Sequence, residues 1–457
     1  MMQRNGKRLV LFPLPLQGHI NPMLQLANIL HSKGFSITII HTNFNSPDPS
    51  KYPHFTFHFL QENLTETESS TTDVLDLLSL LNIKCIAPFR NCLSSLLSDV
   101  SQEAVACLIS DAIFHFTQAV ANSLKLPRIV LRTGGASSFV VFAAFPFLRE
   151  KGYLPIQESK LEEPVKEFPP LKVKDIPVIN TCHQEDLYQL VVNMVNETRA
   201  SSGLIMNTYE DLEQLALASL REEFHIPIFP IGPFHKCSLP SSSSLLVQDE
   251  SCISWLDKQT PKSVIYVSFG SIAAINDTEL SEIAWGLANS KQPFLWVLRI
   301  GLVRGKEWLE PLPFGFLEEV KDRGQIIKWA PQLEVLAHQA IGAFWTHNSW
   351  NSTLESICEG VPMISMPCFT DQKVNARYVS DVWRIGLHLE NGIDRGKVER
   401  IIKRLMAEKG GEEIRNRIEC LKEKAKLSLC QGGSSCQSLD SLVAHIFSFE
   451  SVIFQSQ

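Results

Sequence analysis

Short apolar, β-branched runs, each followed by a stretch of helical spacing, recur along nearly the whole chain. In the first half these runs are RLVLFPL (8–14), FSITIIHT (35–42), VACLIS (105–110), RIVLRT (128–133) and LIMN (204–207). Runs this short and this continuously apolar read as strands buried on both faces. Between them lie amphipathic segments such as 21–33, where Asn21 is placed to cap, Pro22 suits the first helical position and Gly34 ends the helix. Such alternation builds a parallel sheet with helices on both faces. The rhythm pauses over a Pro- and Ser-rich stretch, 236–251, and restarts with SVIYVSFGS (263–271), a helix at 278–290, FLWVLR (294–299), QIIKWA (325–330), IGAFWT (341–346), a helix at 350–359, PMISMP (362–367), a helix near 371–382 and IGLHLE (385–390). The expectation is therefore an α/β chain of two doubly wound, Rossmann-like domains, 1–235 and 252–433. They are joined by the linker 236–251 and closed by a helix in 434–457 that packs back on the first domain. A length of 457 residues agrees, since single cores rarely grow that large.

Composition removes several classes of function. Charged residues make up 20% of the chain and the net charge is -7, with no basic, aromatic-studded surface for nucleic acid. No window reaches the length of a transmembrane helix, and the prolines in the first apolar run argue for a strand rather than a signal peptide. The eleven cysteines are scattered without a CxxC pair, as in a reduced, cytoplasmic protein. His54 and His58 form the one close histidine pair and read as structural, so no metal is expected. The loop after the first strand lacks GxGxxG, and GxxxxGK[ST] is absent, which leaves neither a dinucleotide fold nor a P-loop.

In open α/β sheets ligands bind beyond the carboxyl ends of strands, here in a central cleft faced by both domains. One such end is AFWTHNSWNSTLESICEG (343–360), where a strand turns through Thr346–Ser349 into a helix starting at Trp350. Unpaired first-turn amides make a helix start an anion site, and His347, Asn351 and Ser352 add side-chain donors suited to a diphosphate. Glu355, one turn on, is placed to accept from ribose hydroxyls. The same residues also suit an ordinary capped helix. Two neighbouring strand ends weight the first reading: WAPQ (329–332) offers a flat ring and backbone groups for a base, and PCFTDQ (367–372) a carboxylate and an amide for a sugar.

The stretch Trp329–Gln372 resembles, over its full length, the carboxy-terminal signature of plant secondary-product UDP-glycosyltransferases, the family 1 enzymes with the GT-B fold. FPLPLQGHINPMLQLA, IIHTNFN, SWLDKQ and YVSFGS extend the resemblance along the chain, which looks closest to the group containing the steviol glycosyltransferases. The resemblance implies that Trp329 stacks on uracil, Ala330 meets its edge through the backbone, and Gln332 and Glu355 hold the ribose. Ser271, His347, Asn351 and Ser352 would bind the diphosphate; Trp350, Asp371 and Gln372 would face the sugar, with Gln372 favouring glucose; Thr133 would lie near the far sugar hydroxyl. One position departs from the pattern: Ser349 stands where most members have glycine. If that glycine serves a positive φ or close backbone approach, serine strains the loop and weakens donor binding.

His19 follows the first strand and Asp111 ends another, so an imidazole positioned by a carboxylate is available to take a proton from an acceptor hydroxyl. By resemblance this pair is catalytic and the transfer is direct and inverting, from UDP-glucose as co-substrate, with neither cofactor nor metal. Phe114, Phe139 and Phe145 are the expected walls of a pocket for a small apolar acceptor, and read equally well as core. A monomer is expected. The competing reading is a sugar-nucleotide or small-molecule binding protein that has lost catalysis.

Overall fold

The computed structural model describes residues 6–449 apart from 70, 72, 180, 182, 238–243, 304–307 and 311; the middle of the expected linker thus lies outside the described residues. In the first sheet the strands are β1 (Arg8–Phe12), β2 (Ser36–Thr42), β3 (Thr56–Leu60), β4 (Val105–Asp111), β5 (Arg128–Arg132), β6 (Gly203–Met206) and β7 (Ile228–Pro230). They lie parallel in the order β3-β2-β1-β4-β5-β6-β7. The second sheet contains β8 (Val264–Ser268), β9 (Phe294–Val297), β10 (Gly324–Ile327), β11 (Ile341–Thr346), β12 (Met363–Ser365) and β13 (Gly386–His388), parallel in the order β10-β9-β8-β11-β12-β13. Two doubly wound α/β sheets are therefore present. The strand order reverses between β1 and β4 in the first, and between β8 and β11 in the second. At such a reversal the loops leaving two adjacent strands diverge to opposite faces and open a crevice between them.

Five helices position the chemistry: α1 (Gln17–Ser32), α2 (Gln332–Ala337), α3 (Trp350–Glu359), α4 (Asp371–Arg377) and α5 (Ser434–Ser448). Helix α1 starts earlier than the capping pattern indicated. The amides of His19 and Ile20 both donate to Leu16 O, at 2.8 and 2.9 Å, so the helix is under way before Asn21, and Pro22 lies inside it rather than at its first position. A proline so near the start omits only the amide that would reach back to Gly18. His19 consequently stands on the first turn of a helix, fixed to a rigid element.

The chain divides into two compact units that are not successive in sequence. One comprises Met1–Pro155, Ile179–Leu245 and Leu427–Gln457; the other comprises Ile156–Val178 and Leu246–Lys426. The segment 156–178 therefore departs from the expectation that 1–235 forms a single domain. One tie between this segment and the second unit is a buried ion pair: Arg377 Nε donates to Asp175 Oδ2 at 2.9 Å, with both side chains almost wholly buried. In the first unit, Leu442 and Ile446 of α5 share a core with Leu9, Leu11, Ile39 and Ile109. Ser435 and His445 anchor the same helix on the carbonyls of Gly232 and Ser202.

Candidate active site

In the first unit the β1/β4 reversal puts the start of α1 beside the end of β4, where Phe12 pairs with Ser110 and Asp111 follows. His19 Nδ1 lies 2.7 Å from Asp111 Oδ2 and 3.0 Å from Thr133 Oγ1. A carboxylate only accepts, so Nδ1 carries the proton and Nε2 of the neutral ring keeps its lone pair. Asp111 is 1% exposed and its other oxygen accepts from the Ile113 amide at 2.9 Å, which locks the carboxylate. His19 keeps about a fifth of its side chain accessible. Thr133, expected near a sugar hydroxyl, is thus bonded to the imidazole.

The three phenylalanines expected to wall an acceptor pocket are core residues. Phe114 stacks on Phe12 with centroids 4.4 Å apart, Phe139 packs on Phe224, and Phe145 packs on Phe142. All three are at most 1% exposed, which leaves no ring face for a ligand.

In the second unit Thr346 of β11 pairs with Ser268 of β8, so the loop carrying His347 meets the loop carrying Gly270 and Ser271. Two buried indoles bracket the first loop. Trp345 meets Phe269 edge-on and Trp350 lies against Trp383. Trp350, expected to face the sugar, is 2% exposed; burial of its large apolar ring leaves the backbone amide at the helix start as what it can offer. The left-handed position in this loop belongs to Asn348, with φ +60. Asn tolerates that region better than most residues. Ser349 has φ -56 and caps α3, its hydroxyl accepting from the Ser352 amide at 3.4 Å. The strain expected of a serine here is therefore absent, because the unusual dihedral falls one residue earlier.

His347 is 7% exposed and burial lowers it to about 4, with a backbone bond to Ser268 opposing and the Arg299 charge adding to the fall. Its Nδ1 is buried and makes no well-formed hydrogen bond within the protein. A Cβ on Gly270, which has φ +71, would come within 2.6 Å of this ring, so glycine is required there. Arg299 braces the Ser271 loop by donating to Gly270 O at 2.9 Å and to Ala273 O.

Gln332, first residue of α2, donates to Ser352 Oγ at 3.0 Å and to Glu355 Oε2 at 2.6 Å while accepting from Tyr266 at 3.2 Å. The enclosure of Glu355 pushes its carboxyl up to about 7, against the opposing bond from Gln332. Trp329 is half-buried, with its carbonyl bonded to the Asp249 amide at 2.9 Å, and Ala330 is buried. Gln372 Oε1 accepts from the Cys368 and Phe369 amides at 2.9 and 3.2 Å, which leaves its NH₂ group as the donor end. Asn375, not singled out in the sequence, donates to Asn348 O at 3.0 Å and Asp371 Oδ2 at 3.3 Å, tying α4 to the loop before α3. Gly270, Arg299 and Asn375 are the positions that sequence reasoning missed. Of these Gly270 stood inside the quoted YVSFGS and Arg299 at the end of the quoted run FLWVLR. Among the described residues no group of three or more His, Cys, Asp or Glu is arranged to hold a metal, and no helix is long and apolar enough to cross a membrane.

Residues 26–413 match the family described as UDP-glucoronosyl and UDP-glucosyl transferase. The chain belongs to this family. It is 54% identical to UDP-glycosyltransferase 76B1 of Arabidopsis thaliana, over 96% of this chain and 98% of that one. It is 49% identical to UDP-glycosyltransferase 76G1 of Stevia rebaudiana, over 97% and 98%. Among solved structures it is similar to the Medicago truncatula enzyme UGT71G1 in complex with UDP-glucose, with a TM-score of 0.82, 26% identity, and 96% and 98% coverage. It is also similar to a Polygonum tinctorium glucosyltransferase capable of glucosylating indoxyl, with a TM-score of 0.84, 28% identity, and 98% and 100% coverage. The two sheets are those of a GT-B UDP-glycosyltransferase, an enzyme that transfers sugar.

Proposed function

We propose that this enzyme moves glucose from UDP-glucose to a hydroxyl or carboxyl oxygen of a small apolar plant metabolite by direct displacement, giving a β-glucoside. The observation that carries the reading is the His19–Asp111 contact at 2.7 Å, which makes Nε2 the basic nitrogen of the neutral ring. His19 Nε2 takes the proton as the acceptor oxygen bonds to the anomeric carbon, and the bond from that carbon to the β-phosphate oxygen breaks. UDP leaves with the electron pair, and inversion at one carbon turns an α-linked donor into a β-linked product. Asp111 stabilises the imidazolium formed on the way, and such a base contributes roughly 10² to 10⁴ in rate.

On the donor side, Trp329 and Ala330 are assigned to uracil, Gln332 and Glu355 to ribose, and Ser271, His347, Asn351 and Ser352 to the diphosphate. Asp371 and Gln372 are assigned to the sugar. The raised carboxyl of Glu355 supports the ribose role, since the group gains donors when a nucleotide binds. Glucose as donor agrees with the UDP-glucose in the Medicago complex. The 46%-identical Arabidopsis flavonol 3-O-glucosyltransferase UGT76E12 agrees with a small apolar acceptor. A cytoplasmic monomer is part of the proposal. The alternative of a binding protein without catalysis drew its motive from Ser349 in place of glycine, and φ -56 removes the backbone-strain part of that motive.

The test is incubation with UDP-glucose and a panel of phenolic, terpenoid, carboxylic and hormone-like acceptors, read by mass spectrometry for added hexose. His19→Ala should lower kcat by at least about 10² while leaving the Kd for UDP unchanged. No hexose transfer by the wild type to any acceptor, with UDP-glucose still bound, would establish the binding-protein reading instead.

A further inference from the structure

Thr370 immediately precedes the two residues assigned to the sugar, and its backbone is unusual for a residue with a side chain, with φ +51 and ψ -136. Conformations of this kind persist only where the surroundings over-determine them, and they cluster where geometry matters for function. The restraints on this peptide are visible. The Thr370 amide donates to Val178 O at 3.4 Å, and the Thr370 hydroxyl donates to Asp371 Oδ1 at 2.9 Å. The other end of α4 is held by the same part of the chain. Arg377 grips Asp175 through Nε at 2.9 Å and Nη2 at 3.3 Å, and reaches Asp381 at 3.0 Å and Glu390 at 2.6 Å. Lys174 closes the network on Glu390 at 2.9 Å. Asp175 is itself fixed by accepting from the Lys172 amide at 2.8 Å.

We propose that Asp175 and Val178 are positioning residues for donor-sugar selectivity, holding both ends of α4 so that the strained Thr370 peptide aims Asp371 and Gln372 at the sugar. This rests on the assignment of those two side chains to the sugar. The segment 156–178 thus works as a brace for the donor unit, although it is encoded within the amino-terminal half of the chain. Uridine and diphosphate are assigned to α2, α3 and the Ser271 loop, whereas the brace bonds to Thr370, Arg377 and Glu390, and α4 reaches the loop before α3 through Asn375. Binding of UDP and binding of UDP-hexose therefore separate the two roles.

The experiment compares Kd values for UDP, UDP-glucose and UDP-galactose by calorimetry in wild type, Asp175→Asn and Thr370→Gly. In both variants the preference for UDP-glucose over UDP-galactose should fall about tenfold, the scale of one charge-assisted hydrogen bond. Affinity for UDP itself should stay within about twofold of wild type. Asp175→Glu, which keeps the charge opposite Arg377, should recover part of the preference. If Asp175→Asn fails to fold, Thr370→Gly decides, because it relaxes the backbone and removes no buried ion pair. A hexose preference unchanged in the folded variants, or a loss of UDP affinity equal to the loss for UDP-glucose, overturns the proposal. Because the readout is binding, a wild type that binds UDP-glucose without transferring it would refute the proposed function and still leave this inference decided.

Discussion

Acidification from pH 8 to pH 6 should weaken UDP-glucose binding about tenfold, and Glu355 is the reason. Its carboxyl stands at about 7 instead of the usual 4.5, because partial burial strips it of water and this outweighs the bond from the Gln332 amide. Ribose hydroxyls donate to a carboxylate, so with Glu355 assigned to the ribose the nucleotide selects the ionised form. About ten in eleven molecules are ionised at pH 8 and about one in eleven at pH 6, and the apparent Kd scales inversely with that fraction. Affinity is therefore complete above pH 7 and lost as pH falls through it. The stability of the free protein runs the other way: a raised carboxyl favours the folded state at low pH, and that contribution disappears as pH rises through 7. His347, at about 4, stays neutral throughout the window and does not compensate. UDP-glucose is the ligand to use, because the terminal phosphate of UDP titrates near pH 6. Calorimetry at pH 7 in two buffers of different ionisation enthalpy should show release of about half a proton per site. Glu355→Gln should bind weakly and without pH dependence. A Kd that is flat from pH 6 to 8 in the wild type, or a slope that survives in Glu355→Gln, would refute the reasoning.

Two substitutions test the loops assigned to the diphosphate. Ser349→Gly relieves no strain and removes a cap, so stability should fall by a few tenths of a kcal/mol and the KM for UDP-glucose should move less than about twofold; a KM that drops tenfold would mean the serine does obstruct the donor. Gly270→Ala drives a Cβ into the His347 ring at a φ that costs a side chain about 1 to 2 kcal/mol. The KM for UDP-glucose should rise at least about tenfold; an unchanged KM would remove His347 from the donor site.

How much could be read before the structure was known varied with the distance over which residues cooperate. The central strands were legible because burial on both faces leaves a continuous apolar run. The edge strand β3 was not, since the polar Thr56 and His58 interrupt the run. Neither was β7, which is three residues long and ends in proline. Asn21-Pro22 imitates a helix start and hid the true one at Gln17. Trp329–Gln372 stood out because one contiguous stretch carries most of the residues assigned to the donor. Phe114, Phe139 and Phe145 were ambiguous, because an aromatic near a strand end looks the same in the sequence whether it lines a pocket or fills a core. The Asp175–Arg377 pair had no local signal at all: the partners are 202 positions apart and each looks like a surface charge until both are buried.

The chain passes between its two units four times, since 156–178 leaves the first for the second and everything after 427 returns. No single crossover point, the linker included, divides the gene into one part per unit. A chimera joined at the linker would inherit α4 from one parent and the brace that holds it from the other, and its closing helix from the parent that did not supply the sheet beneath. Shuffling of acceptor specificity between relatives would therefore keep donor preference intact only when 156–178 travels with 246–426 and the segment after 427 travels with the amino-terminal strands.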